Sequence, residues 1–215
     1  MAENMYSRMD FRTIRKAEHK TSVWSGGTTT QLAIYPPDSD YGLRNFMWRV
    51  STARVEADES VFTPLPGIHR HLMILDGKIR LIHEGRGEVE MGPFSKEEFE
   101  GDWSTKSKGR CTDFNLMTKR GECCGAIDAV MSGARCVPLF SNGSSKEAWE
   151  LIYCILPKLS VSVENGDTKS YALLEMGDAL LLHRAIPCVK ETLLSVSSDA
   201  DSPAFAAARA SVWLV

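Results

Sequence analysis

No apolar run in this chain approaches the length of a membrane-spanning helix. Charge of one sign is equally scarce in excess. A net charge of −3 gives no electrostatic case for nucleic acid or an anionic membrane surface. The first twenty residues lack the apolar core of a secretory signal and mix acidic with basic side chains, so a cytoplasmic location is expected. The six cysteines (Cys111, Cys123, Cys124, Cys136, Cys154 and Cys188) include no C-x-x-C pair, and no histidine stands at zinc-finger spacing. They are expected as free thiols in a reducing compartment, with packing preferred to redox chemistry even for the adjacent Cys123-Cys124. There is no G-x-S-x-G elbow for a nucleophile. Gly26-Gly27 is followed by threonines and not by a helix pattern with Lys-Ser/Thr, which excludes a phosphate-binding loop. Long amphipathic helices are missing too. Only the alanine-rich Ser202 to Arg209 reads as a helical turn or two, and residues 1 to 10 read as a frayed end.

What fills the 215 residues is a succession of short strand-like runs with turn signals every eight to twelve residues. Trp24 to Gly27 is a turn between two strands, Asp76-Gly77 reads as a hairpin turn, and Asn165-Gly166-Asp167 as another. That pattern predicts an all-β chain built as a sandwich or barrel. The similar turns in the two halves suggest duplication. The expected division is 11–120 and 121–215, approximate, with strands that can be shared or one compact domain.

The stretch richest in chemistry runs from Trp48 to Gly77. Side chains alternate along a strand. Arg49, Ser51, Ala53 and Val55 therefore share one face of their strand, and Trp48, Val50 and Thr52 the other. Arg70 likewise faces away from His69 and His71. Two readings follow. In one, His69 and His71 are metal ligands, but a third is not evident. Asp76 falls in a predicted turn, His83 lies on the next strand and His183 in the other half, and two ligands do not make a site. In the other, Arg49 and Arg70 enter the interior. An arginine cannot shed its proton, so its burial calls for a partner. That partner is either a structural carboxylate, Asp113 or Asp102, or the carboxylate of a ligand, with Ser51 and Asn115 adding neutral hydrogen bonds. Cys111, Asp113, Asn115 and Met117 share a face of a later strand.

At these residues the chain resembles the HutD/Ves family. The motifs are Trp24-Ser25-Gly26-Gly27-Thr28-Thr29, Trp48-Arg49-Val50-Ser51, Phe62 with Pro66-Gly67 and Arg70, and Leu75-Asp76-Gly77. Pro93-Phe94, Gly101-Asp102-Trp103 and Asp113-Phe114-Asn115-Leu116-Met117 follow in order. The resemblance covers roughly residues 11 to 120. It implies a bicupin, two cupin-type (double-stranded β-helix, jelly-roll) barrels in one chain, with a link to histidine utilisation. It also implies binding of a small acidic metabolite such as formylglutamate, without catalysis, as a brake or sensor, and no obligatory metal or other cofactor. In that setting Arg49 and Arg70 anchor carboxylates, Ser51, Asp113 and Asn115 orient ligand or arginines, and Trp24 and Trp103 form walls. No nucleic acid or membrane partner is expected, and a homodimer through an edge strand is open. The competing expectations are a metal-dependent cupin enzyme, a dioxygenase or isomerase using His69 and His71, and an interaction protein with solid barrel cores.

Overall fold

The computed structural model describes residues 9–141, 147–185, 191–199 and 205–215. These residues form β-strands joined by turns, with a single 3-10 turn at Lys16–Glu18. In chain order the strands are β1 (Met9–Ile14), β2 (Lys20–Trp24), β3 (Gly27–Tyr35), β4 (Trp48–Val55), β5 (Glu59–Val61), β6 (Ile68–Gly77), β7 (Ile79–His83), β8 (Gly87–Met91), β9 (Lys96–Glu100) and β10 (Thr105–Lys108). There follow β11 (Cys111–Lys119), β12 (Cys123–Met131), β13 (Val137–Leu139), β14 (Glu147–Cys154), β15 (Lys158–Asn165), β16 (Thr168–Glu175), β17 (Ala179–Ala185), β18 (Thr192–Ser197) and β19 (Phe205–Leu214). Among the described residues no helix is long and apolar enough to cross a membrane.

The chain divides into two compact units, His19–Ile127 and a second formed by Asp128–Val215 with the described residues up to Glu18. In the first unit a six-stranded sheet, β2-β3-β4-β11-β6-β9, faces a four-stranded one, β5-β10-β7-β8. Leu72 and Ile74 from the larger sheet meet Ile79, Leu81 and Met91 from the smaller one, with Val55, Phe99 and Cys111 around them. Interdigitating inner faces of two antiparallel sheets are what closes such a sandwich. The second unit pairs β1-β17-β14-β19-β12 with β13-β18-β15-β16. Its core includes Ile152, Cys154, Leu159, Val161, Val163, Leu180, Leu182 and Ala207. Each unit is a cupin-type jelly roll, and the chain is an all-β bicupin.

Four local expectations change. Residues 11–18 belong to the second unit, because β1 runs antiparallel to β17 from Met9↔Arg184 to Ile14↔Ala179. The same pairing makes Met9 and Asp10 part of a strand, not a frayed end. Phe205 to Arg209 is strand, not helix. Ala206, Ala207 and Ala208 are all fully buried, and small side chains on both faces of a strand permit that close packing where helix propensity alone would favour a turn. Asp76-Gly77 is no hairpin turn either. β6 and β7 lie in different sheets, and Gly77, at φ +82°, carries the chain between them. A Cβ there would sit 2.4 Å from the Arg110 carbonyl oxygen. Gly166-Asp167 does form the β15–β16 turn, with Asn165 opposite Thr168. The five described cysteines are free, and Cys188 lies outside the described residues.

Candidate functional site

The first barrel is solid at one end and hollow at the other. Antiparallel pairing sets Arg49 of β4 and Arg70 of β6 both opposite Met117 of the intervening β11, in one row across the sheet. One residue pair further along, Asn115 stands opposite Ser51 and Leu72, and then Asp113 opposite Ala53 and Ile74. The inner face thus changes from charged to apolar along its length. Arg49, Ser51, Arg70, Asp113, Asn115 and Met117 line a cavity of about 710 Å³, with Trp24 and Tyr41 also on its wall. That volume is within the range of small-molecule sites, roughly 300–1,000 Å³. An interaction protein with filled barrels is therefore not what the first unit is.

The two guanidiniums are buried without a carboxylate. Arg49, 5% exposed, donates from Nε to Gln31 Oε1 at 2.9 Å and from Nη1 to Ser51 Oγ at 3.0 Å, and lies over the Tyr41 ring. These partners are neutral or aromatic. Arg70, 6% exposed, rests over the rings of Phe62 and Phe99 at 4.8 and 5.4 Å, and its buried Nε has no hydrogen bond. Among the described residues it makes no hydrogen bond or ion pair at all. Loss of water lowers the Arg49 pKa and brings that of Arg70 down to about 10. The structural partners considered from the sequence are engaged elsewhere. Asp102 meets Arg120 at 3.5 Å on the surface. Asp113 accepts from the Ala53 backbone N–H at 3.1 Å.

Asp113 is itself perturbed. Burial pushes its carboxyl up to about 7, against the opposing pull of the Ala53 hydrogen bond and of Arg70 and Arg49. Near neutral pH the cavity floor therefore carries two cations and a carboxyl that is only partly ionised. Asn115 adds a buried Oδ1 that accepts no hydrogen bond. The site has positive charge, one unused acceptor and no histidine or cysteine among its lining residues.

Trp24 sits at the β2–β3 turn with its ring folded over Gly26, where a Cβ would come within 2.0 Å of the indole. Trp103 is not a wall. It packs edge-to-face on His83 at 5.3 Å, with Arg86 4.4 Å above its ring, at the apolar end of the barrel. Tyr41, Phe62, Lys106 and Lys108 line the cavity, and Gln31 holds Arg49 beside it, although the sequence did not single them out as site residues. Gln31 alone had a usable signal, its alternating position on a strand.

His69 and His71 lie on the face of β6 away from the cavity, as alternation requires. The third ligands considered from the sequence do not join them. Asp76 is exposed at the end of β6, His83 bonds Thr105 Oγ1 at 2.9 Å, and His183 stacks on Trp149 at 4.8 Å. An ion on these histidines could not meet a molecule in the cavity, so the metal-dependent enzyme loses its geometry.

The second barrel offers a contrast. Glu150, 1% exposed, takes Arg209 in a two-pronged contact, Nε to Oε2 and Nη2 to Oε1 both at 2.8 Å. Ser211 and the Phe140 N–H complete its shell at 2.7 and 2.8 Å. Arg209, its side chain 11% exposed, thus has a carboxylate built in, as Arg49 and Arg70 do not.

Comparison with known proteins fits this architecture. The solved HutD structure from Pseudomonas fluorescens SBW25 superposes with a TM-score of 0.70 at 18% identity, covering 96% of this chain and all of that one. A conserved protein of unknown function from Pseudomonas aeruginosa PAO1 gives 0.74 at 19%, covering 95% and 98%. Oxalate decarboxylase from Bacillus subtilis shares the fold at 0.61 and 8% identity, over 98% of this chain and 78% of that one. In sequence, protein Ves of Cronobacter sakazakii is 30% identical over 122 residues, 54% of this chain and 63% of Ves. An uncharacterised 21.2 kDa protein from the hutC 3' region of Pseudomonas putida is 30% identical over 110 residues, 48% of this chain and 56% of that protein. The aligned part thus spans less than two thirds of either relative. The model of the HutD family matches residues 16–200. With most of its length under that match, the chain belongs to the HutD family.

Proposed function

We propose that this protein binds a small carboxylic acid in the first barrel, without transforming it, and serves as a sensor or brake in histidine utilisation. Arg70 carries the reading. A guanidinium that is desolvated and unpaired costs several kcal/mol, and a ligand carboxylate held two-pronged by Arg70 or Arg49 offsets that cost. Two arginines on either side of β11 suit an acid with two carboxylates. The unused Asn115 Oδ1 suits an N–H between them, and formylglutamate has this composition. The non-catalytic role is what the family resemblance implies, with Asp113 of the lining orienting the arginines or the ligand. Support for the pathway is the hut designation carried by two relatives. A cytoplasmic location accompanies that role.

A thermal-shift series with formylglutamate, glutamate and urocanate tests it, since a ligand that prefers the folded state raises the midpoint. A dicarboxylate bearing an N–H should give the largest rise, and Arg70→Ala should abolish it. Absence of any shift at about 10 mM of every acid would overturn the proposal.

A further inference from the structure

We propose that His69, His71 and Glu98 form a site for one divalent transition-metal ion of the Zn²⁺, Ni²⁺ or Co²⁺ type, on the sheet face opposite the cavity. It does not rest on the carboxylate reading. His69 and His71 are two residues apart on β6 and share a face, and β9 brings Glu98 opposite His71 and Glu100 opposite His69. The three donor atoms lie within 4.8 Å of one another. Glu98 Oε1 is 3.2 Å from His71 Nδ1, and its Oε2 is 3.6 Å from His69 Nε2. An ion held tetrahedrally at about 2.0–2.2 Å from nitrogen and oxygen sets neighbouring ligand atoms about 3.3 Å apart.

Two further observations point the same way. The other nitrogen of His69, Nδ1, lies 3.1 Å from Glu100 Oε1 in a hydrogen bond. A proton donated there leaves the Nε2 lone pair aimed at Glu98, the carboxylate–histidine arrangement that orients metal ligands. His71 is 3% exposed, and its buried ring nitrogens have one polar contact between them, Nδ1 with the Glu98 carboxylate. That leaves Nε2 without a partner among the described residues. Buried polar groups are rarely left so. An ion shared by a ring nitrogen of His71 and the Glu98 carboxylate would take the place of that direct contact.

Imidazole donors select transition ions over Mg²⁺ and Ca²⁺, which take oxygen. Three protein ligands leave a fourth position for water. Glu98 is 59% exposed on its side chain, so the ion has a path from solvent. β9 is the outer strand of its sheet and pairs only with β6 there, so the ion would clip an edge strand to its neighbour.

The experiment is calorimetric titration of the full-length, tag-free, chelator-treated protein with Zn²⁺, Ni²⁺ and Mg²⁺. One Zn²⁺ or Ni²⁺ per chain is expected, and no heat from Mg²⁺. Glu98→Gln and His69→Asn, both at accessible positions, should each weaken binding at least tenfold, and Glu100→Gln by less. Exposed Cys124 and Cys136 are the competing ligands, so the series is run in a Cys124→Ser, Cys136→Ser background. No saturable binding at about 100 µM free Zn²⁺ or Ni²⁺ overturns the proposal, as does one-to-one binding that survives in the Glu98→Gln, His69→Asn double variant.

Discussion

Replacing Arg70 with methionine should make the unliganded protein more stable while destroying its ligand response. Desolvation brings the Arg70 pKa down from its ordinary value to about 10. At roughly 1.4 kcal/mol per pKa unit, the charged form is penalised by about 3 kcal/mol. Because the folded-state pKa of this base is depressed, the penalty is present in full at neutral pH and fades only as pH rises above about 10. Contacts with Phe62 and Phe99 return about 1–2 kcal/mol. Methionine keeps an unbranched chain of similar length against the same rings and removes the charge. The net gain is about 1–2 kcal/mol, in line with apolar replacement of other buried ions. For a chain of this length that is a rise of roughly 2–6 °C in Tm. Scanning calorimetry of wild type and Arg70→Met, each with and without the best acid from the ligand series, measures both quantities. A Tm several degrees lower in the variant would mean that Arg70 holds the fold together. A ligand shift that persists would place the anion elsewhere.

Two further outcomes separate site from scaffold. The folded-state pKa of Asp113, at about 7, lies above the ordinary carboxyl value, so its contribution is complete below about pH 4 and lost as pH rises through 7. Denaturant melts at pH 5 and pH 8 should show wild type losing about 2–3 kcal/mol relative to Asp113→Asn over that interval, and parallel profiles would refute the assignment. In the second barrel, Glu150→Ala strips Arg209 of its two-pronged partner. The denaturant midpoint should report a loss of about 3–5 kcal/mol with the first-barrel ligand shift intact, whereas a loss below about 1 kcal/mol would show that Arg209 finds solvent instead.

Alternation along single strands was enough to place Arg49 with Ser51, Asp113 with Asn115, and Arg70 apart from His69 and His71. That rule is local, because a strand of L-residues puts successive side chains on opposite faces whatever surrounds it. The spacing of the turns likewise pointed to an all-β chain, and the family resemblance to two cupin barrels. Which face of β6 looks inward was another matter. It depends on β11, more than thirty residues downstream, bringing Met117 between the two arginines. So did the lack of a carboxylate for Arg70. Asp113 is near in sequence pattern, but the register hands it to the Ala53 N–H. Glu98 gave no sign of meeting the histidines until β9 paired with β6, and Trp103 turned out to serve the apolar end of the barrel. Sequence determines faces, since those follow from one chain's geometry. Only the tertiary structure decides partners, since those follow from register between segments that the chain order leaves far apart.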